Sequence, residues 1–199
     1  MNDWMAKPHR RLNPLTGEWL LVSPQRARRP WQGRVEDSPT VVRPPYDPDC
    51  YLCPGNERAG RARNPDYEST FIFENDFPAL LADAGQAELN RDGLLIARSE
   101  KGVCRVVCFS PRHDLTLSDM ERSQVNRVVQ VWKEQYQELA SVPWIRYVQI
   151  FENRGELMGC SNPHPHCQIW ANESVPQEPE KETRRFAEFF EAEGECMLC

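Results

Sequence analysis

The stretch Ser161–Trp170, SNPHPHCQIW, constrains this fold more than any other in the chain. Histidine is scarce, four in 199 residues, yet His164 and His166 stand two apart and Gln168 follows at the same spacing. Two residues is the side-chain period of a β-strand, so these three polar groups share one face of a sheet. Pro165 has no amide proton for a ladder, which puts His164–His166 at a sheet edge or where a strand begins. A lone histidine would read as an ordinary core or surface residue. A pair beside a Gly-Cys-Ser-Asn-Pro turn points to a site. Neutral imidazole can ligate zinc, or attack phosphorus or carbon as a nucleophile. Its unperturbed pKa of about 6.5 leaves much of it neutral near pH 7.

The segments around this strand indicate its setting. Gly17–Ser23 (GEWLLVS), Ser69–Asp76 (STFIFEND), Gly102–Ser110 (GVCRVVCFS), Trp144–Asn153 (WIRYVQIFEN) and His166–Ala171 (HCQIWA) read as strands. Ser118–Ala140 reads as a helix, with Ser118 and Glu121 as a capping box. Its Val125, Val128, Val129, Trp132, Tyr136 and Leu139 form a core-facing stripe. Pro179–Glu193 reads as a second helix with a Phe186, Phe189 and Phe190 face. Pro30 to Pro65 holds seven of the 17 prolines, so a long ordered loop is expected there, the kind that usually carries function. Strands on both sides of a long helix, joined by short loops or hairpins, predict an α+β fold with a mostly antiparallel sheet packed with helices. A chain of 199 residues can bury such a core without disulfides.

Charge narrows the partners. With 24 basic and 30 acidic residues the net charge is −6, so no global basic field draws nucleic acid. A local run, QRARRPWQG at Gln25–Gly33, could still hold a phosphate. The N-terminus lacks the apolar region of a signal peptide, and no stretch reaches the roughly 18 apolar residues of a membrane span. These features predict a cytoplasmic protein with no nucleic-acid or membrane partner. In that reducing setting the eight cysteines are buried thiols, metal ligands or catalytic groups rather than a disulfide framework. Cys50 and Cys53, in the Pro/Gly turn DPDCYLCPGN, can give two thiolates to one tetrahedral zinc, or be a redox pair or incidental thiols. His113, in a turn after a strand, and His164 are candidates for completing such a site. Cys196 and Cys199 repeat the spacing but lie far beyond the 15–20 or so residues that separate the pairs of a zinc ribbon, and are expected to be bystanders. The abrupt end at GECMLC suggests a fragment.

Taken in order, RLNPLTGEWLLVSPQRARRPWQG, DPDCYLCPGN, NPDYESTFIFENDFPAL, CFSPRHDLTL and FENRGELMGCSNPHPHCQIW resemble the galactose-1-phosphate uridylyltransferase family, a branch of the histidine triad superfamily. The resemblance spans nearly all of residues 1–199, and the last stretch is the most specific. It implies a histidine-triad-like N-terminal domain of a UDP-glucose–hexose-1-phosphate uridylyltransferase. His166 would be the nucleophile that takes uridylyl from UDP-glucose and passes it to galactose 1-phosphate, a step of galactose metabolism in the Leloir pathway. Cys50, Cys53, His113 and His164 would hold zinc. Gln168 stands where other triad proteins have a third histidine, and would hydrogen-bond the covalently held phosphoryl group. Arg26, Arg29, Asn75, Asp76, Asn153 and Ser161 match positions associated with uridine nucleotide binding. Glu182 matches a carboxylate ligand of a second, structural metal, iron or zinc. The family implies a homodimer, and a second, similar half that supplies sugar contacts and the remaining ligands of that metal.

The chemistry of these residues is consistent with those roles. Guanidinium groups and backbone amides suit a negatively charged phosphoryl group. A glutamine amide donates hydrogen bonds without offering a titratable proton. Zinc on His164 would fix the strand that carries His166, which is preorganisation rather than Lewis-acid catalysis. Two other functions fit the same residues less well. A dinucleoside-polyphosphate hydrolase or phosphorylase of the same superfamily is disfavoured by glutamine in place of the third histidine. A non-catalytic zinc-binding module would form no covalent nucleotide on His166.

Overall fold

The alternation expected at the histidine strand is present along its whole length: Cys167, Ile169 and Ala171 are buried, while His166, Gln168, Trp170 and Asn172 are half-buried. The computed structural model describes residues 3–30, 42–155, 158–160 and 162–199. Its strands, in chain order, are β1 (His9–Leu12), β2 (Trp19–Val22), β3 (Phe71–Glu74), β4 (Glu88–Arg91), β5 (Leu95–Arg98), β6 (Gly102–Cys108), β7 (Tyr147–Phe151) and β8 (His166–Asn172). Two α-helices are described, α1 (Arg122–Ala140) and α2 (Gln177–Glu193). The chain separates into two compact units, Met1–Thr40 with Val175–Cys199, and Val41–Ser174. The whole is mixed α and β, and every pairing among strands β1–β8 is antiparallel, in keeping with the mostly antiparallel sheet the sequence predicted.

The unit Val41–Ser174 is built on a four-stranded sheet in the order β3-β6-β8-β7, with β8 internal. Pro165 lies just before β8, and its carbonyl accepts from the Phe109 amide at 2.9 Å, so the proline sits at the strand's start and costs the sheet no donor. One face packs on α1: Val107, Cys167, Ile169 and Ala171 meet Val128, Val131 and Leu139. The other face, with Val106, Cys108, Phe71 and Phe73, packs against Cys50, Leu52, Cys53 and Tyr67. One sheet thus has a mostly apolar side against α1, crossed by Arg105, which reaches Gln135 and Glu138 of that helix, and a side that meets the cysteine loop. β6 begins at Gly102, where an added Cβ would come within 2.5 Å of the Ala171 carbonyl oxygen and 2.6 Å of Leu80 Cδ1. Only glycine allows that approach of strand to strand. The exposed hairpin β4–β5 turns through Asp92 and Gly93, both at positive φ. Among the described residues the Pro30–Pro65 segment contains no strand and a single short 3-10 turn, Ala59–Arg61.

Three expectations for the helices are corrected. Ser118 does not cap α1; it lies in a 3-10 turn, Leu117–Asp119, that is capped by Thr116 and Asp119. α1 starts later, and its capping box is Glu121 with Gln124. The buried stripe is Val128, Val131, Gln135 and Leu139, whereas Val129 and Tyr136 are each 50% exposed. At about 100° per residue, Val131 and Gln135 lie on the Val128–Leu139 line and Tyr136 is rotated off it. Gln135 tolerates burial because Arg105 donates to its Oε1 at 2.6 Å. On α2, Phe190 is 60% exposed, so the aromatic face narrows to Phe186 and Phe189.

The unit Met1–Thr40 with Val175–Cys199 holds the β1–β2 hairpin and α2. Lys181 on α2 bridges Glu18 and Glu178, each at 2.8 Å. α2 ends at Gly194, whose φ of 76° closes the helix, its backbone N–H donating a hydrogen bond to the Phe190 carbonyl. Among the described residues no helix is long and apolar enough to cross a membrane.

Candidate metal centre and nucleophile

Four side chains from three separate stretches converge on one point. Ligand atoms of Cys50, Cys53, His113 and His164 all lie within 4.8 Å of one another, and all four residues are buried. The two cysteines are presented by a tight knuckle. The Cys53 amide bonds the Cys50 carbonyl, and the Leu52 amide donates to Cys50 Sγ at 3.3 Å. Two asparagine amides clamp the knuckle. Asn56 Nδ2 donates to the Asp47 and Cys50 carbonyls, and Asn64 Nδ2 to those of Tyr51 and Cys53. His113 follows β6, anchored by its amide on the Pro45 carbonyl. His164 precedes β8, its amide held by Asn162 Oδ1 at 2.9 Å, while Asn162 Nδ2 points at Cys50 Sγ.

The donor set and its spacing fit a cation. Cys53 Sγ lies 3.7 Å from His113 Nδ1 and 3.5 Å from His164 Nδ1. A tetrahedral centre with bonds of about 2.3 Å to sulfur and about 2.1 Å to nitrogen sets its S and N ligands about 3.6 Å apart. His164 Nε2 lies 2.9 Å from the Ser110 carbonyl oxygen, which can only accept. Its proton therefore sits on Nε2 and leaves Nδ1 as a lone pair aimed at the cysteines. Burial lowers the His164 pKa to about 4 and also lowers that of His113, so both imidazoles are neutral, ligand-competent bases at pH 7. Burial pushes the Cys53 thiol up to about 12. A thiolate there needs a positive partner, and a divalent ion shared with Cys50 would supply one. These four residues could therefore bind a metal.

His166 is the next residue on the same face. Its Nδ1 lies 2.7 Å from the His164 carbonyl oxygen. A carbonyl cannot donate, so in the neutral ring Nδ1 carries the proton and Nε2 is the unprotonated, nucleophilic nitrogen. The ring lines two clefts. One, of about 690 Å³, is also lined by Glu152, Asn153, Arg154, Cys160 and Asn162. The other, of about 550 Å³, includes Leu52, Arg58, Phe73, Asn75, Asp76 and Gln168. Gln168 Oε1 accepts from Trp170 Nε1 at 3.1 Å and from Asn75 Nδ2 at 3.4 Å. With both oxygen lone pairs committed, what the amide has left to offer is N–H donors.

The sequence-chosen residues are thus distributed unevenly. The four metal candidates, His166, Gln168, Asn75, Asp76 and Asn153 all lie in the unit Val41–Ser174. Asp76 is engaged by a residue not anticipated: Arg58 Nη1 lies 3.1 Å and 3.3 Å from its two carboxylate oxygens. Ser161 lies outside the described residues. Arg26, within the 3-10 turn Pro24–Arg28, and Arg29, which caps it, are exposed in the other unit. Glu182 is half-buried on α2 in that unit and belongs to no metal-competent cluster among the described residues. Tyr67, Asn56 and Asn64 were also missed as site residues. The only signal for them was the recurrence of Asn and Tyr in PGN and NPDY around the cysteine pair.

Residues 1–176 match the family described as "Galactose-1-phosphate uridyl transferase, N-terminal domain". The galactose-1-phosphate uridylyltransferase of Haemophilus influenzae is 48% identical over 191 residues, covering 96% of this chain and 54% of its own. That of Saccharomyces cerevisiae is 45% identical over 199 residues, covering 94% and 54%. The chain spans about half the length of the curated relatives it matches. Among solved structures, an ADP-glucose phosphorylase from Arabidopsis thaliana with bound ADP-glucose superposes with a TM-score of 0.69 at 26% identity, over 97% of this chain and 57% of that one. A uridylyltransferase superposes with a TM-score of 0.66 at 24% identity, over 96% and 54%, a likeness of fold.

Proposed function

The chain belongs to the galactose-1-phosphate uridyl transferase family, and from that membership we propose that it carries the nucleophile and donor site of a UDP-glucose–hexose-1-phosphate uridylyltransferase. The observation that carries the reading is the tautomer of His166, whose Nδ1 proton is held by the His164 carbonyl so that Nε2 is the reactive atom. In the first half-reaction Nε2 attacks the α-phosphorus of UDP-glucose. The bond from that phosphorus to the bridging oxygen breaks, and glucose 1-phosphate leaves with the oxygen. In the second, a phosphate oxygen of galactose 1-phosphate attacks the same phosphorus and His166 is regenerated, which is ping-pong logic.

Both sugar phosphates have a second pKa near 6, so near pH 7 one leaves and the other attacks largely as a dianion. Neither step then needs a general acid or base beside the phosphorus. Gln168 meets that condition, giving N–H donors to phosphoryl oxygens and no group that could activate water. Cys50, Cys53, His113 and His164 would hold zinc, whose chemistry here is structural, tying the cysteine knuckle to the start of β8. Asn75 and Asp76 would face the nucleotide, with Arg26, Arg29 and Ser161 as further contacts and Asn153 in the neighbouring cleft. Glu182 would be one ligand of a second metal, iron or zinc, whose other ligands come from elsewhere. All eight cysteines are free, which suits a reducing, cytoplasmic setting, and the family resemblance implies a homodimer.

The test is covalent labelling. The chain, alone and fused to the uncovered half of the H. influenzae relative, is given UDP-glucose without acceptor and analysed by intact mass and peptide mapping. One uridylyl group should appear per site, on His166, and His166→Ala should stay unlabelled. A label on any other residue would refute the assignment. ADP-glucose as donor should label far less, as expected of a member of the uridyl transferase family.

A further inference from the structure

The second cleft contains a charged residue that stability alone does not explain. Arg58 is 11% exposed at its side chain, and Asp76, its ion-pair partner, 22%. The guanidinium lies over the Phe73 ring, 3.7 Å from the centroid, with Phe71 further off at 5.9 Å. Its Nε is buried and has no hydrogen-bond partner among the described residues. A buried ion pair with an orphaned donor is a poor device for stability, and an apolar side chain of similar size would serve the fold as well. What the arrangement achieves is fixity. Ring below and carboxylate beside hold the guanidinium, and through it the Asp76 carboxylate, in one place on the wall of a cleft that also holds His166 and Gln168.

The chemistry of a carboxylate limits what it can meet there. Ionised, it is an acceptor only, so the phosphates of a nucleotide are excluded as its partners. Uracil offers one N–H flanked by two carbonyls that a carboxylate would repel. A ribose offers two adjacent hydroxyls, both donors, which match two carboxylate oxygens. The rest of the cleft supplies apolar walls for a base in Leu52, Phe73, Phe77 and Val106. Val106 pairs with Phe73 on one side and Gln168 on the other, so one row across three strands runs from the ring under Arg58 to the amide beside His166.

We propose that Arg58 is a positioning residue for nucleotide recognition: stacked on Phe73 and paired with Asp76, it presets the Asp76 carboxylate to accept the vicinal diol of a ribonucleotide. This rests on the uridylyltransferase reading, in which Asp76 is already a nucleotide contact, and adds to it one residue, Arg58, whose effect is read through the preference for ribose over deoxyribose. Asp76 touches the sugar; Arg58 acts only through it.

The experiment compares UDP with 2′-deoxy-UDP by calorimetry on the full chain. The wild type should prefer UDP by about tenfold or more, the size of one lost charge-assisted hydrogen bond. In Arg58→Met that preference should collapse towards unity, with 2′-deoxy-UDP affinity nearly unchanged. Arg58→Lys, which keeps charge but not the planar stack, should fall between. Asp76→Asn should also lose the preference, and adding Arg58→Met to it should change the ratio little further. Circular dichroism on each variant confirms folding, and the Arg58→Lys and Asp76→Asn comparison stands if Arg58→Met does not fold. A merely structural Arg58 would weaken both ligands equally and leave the ratio intact, which would overturn the proposal. If the wild type binds neither nucleotide, the nucleotide reading itself falls and this inference with it.

Discussion

Removing the Tyr67 hydroxyl separates the two jobs that one atom does beside the metal candidates. Tyr67 is buried, and burial keeps its phenol neutral by raising its pKa, so it acts as a hydrogen-bonding alcohol. The hydroxyl donates to the Leu52 carbonyl at 2.6 Å, inside the cysteine knuckle, and sits 3.0 Å from His164 Nε2. In Tyr67→Phe the Leu52 carbonyl loses this donor, which costs about 1–3 kcal/mol for a buried polar group. At about 2–4 °C per kcal/mol for a chain of this size, the metal-free protein should melt roughly 2–12 °C lower. Metal affinity should suffer less. The Ser110 carbonyl, 2.9 Å from His164 Nε2, still fixes the imidazole tautomer without help from the hydroxyl. Outer-shell losses run from about 10- to 100-fold in affinity, and with one of two partners retained the lower end is expected. Chemical denaturation of metal-free protein measures the first quantity, and competition against a chelator of known zinc affinity the second. A fall in affinity well beyond 100-fold would refute the assignment of the tautomer to Ser110. Unchanged stability would refute the role given to the Leu52 carbonyl.

Cys50→Ser combined with Cys53→Ser should abolish a zinc content of about one ion per chain, read by elemental analysis; full zinc in that variant would place the metal elsewhere. Gly102→Ala should destabilise by about 1–3 kcal/mol in a denaturant titration, because its Cβ would meet a backbone carbonyl at 2.5 Å that cannot move aside cheaply. Arg26→Ala and Arg29→Ala should each weaken UDP binding by about 1–3 kcal/mol in calorimetry; two unchanged affinities would exclude the basic turn from the site. Glu138 has its pKa lowered by the hydrogen bond from Arg105, so its contribution is present above the unfolded carboxylate pKa and is lost as pH falls through the folded one. Glu138→Gln, mostly solvent-screened, should therefore cost no more than about 1 kcal/mol at neutral pH and nothing in strongly acidic solution, by stability measured against pH.

What could be read from the chain depended on whether a residue's role left a local trace. His164, His166 and Gln168 show their shared face because strand geometry writes a period of two into the sequence. Cys50 and Cys53 show theirs because one ion needs both within a single turn. The β4–β5 hairpin went unseen because every residue of both strands is exposed, so no apolar alternation marks them. β1 was missed for a similar reason, with three of its four residues exposed. The start of α1 was misplaced because Thr116–Asp119 and Glu121–Gln124 are two capping boxes in succession, and Ser118 lies between their outer residues. Arg58 has no local signature at all. Its role depends on Phe73 and Asp76, 15 and more positions away, and only folding brings them together.

The spacing of the four metal candidates along the chain has a kinetic consequence. Cys53 is separated by 60 residues from His113 and by 111 from His164. Cys50 and Cys53, by contrast, are neighbours in any conformation. An unfolded or nascent chain therefore presents a two-thiolate chelate long before β6 and β8 pair and bring the histidines into range. An ion captured at that stage would be held by half its ligands, and the long loops would close around it one histidine at a time. Because that half-site persists when the fold is lost, the ion would favour the native state only by the difference between four ligands and two. Thermal stabilisation by metal should thus be smaller than its native affinity suggests, and heated protein should release its ion late, after the sheet has opened.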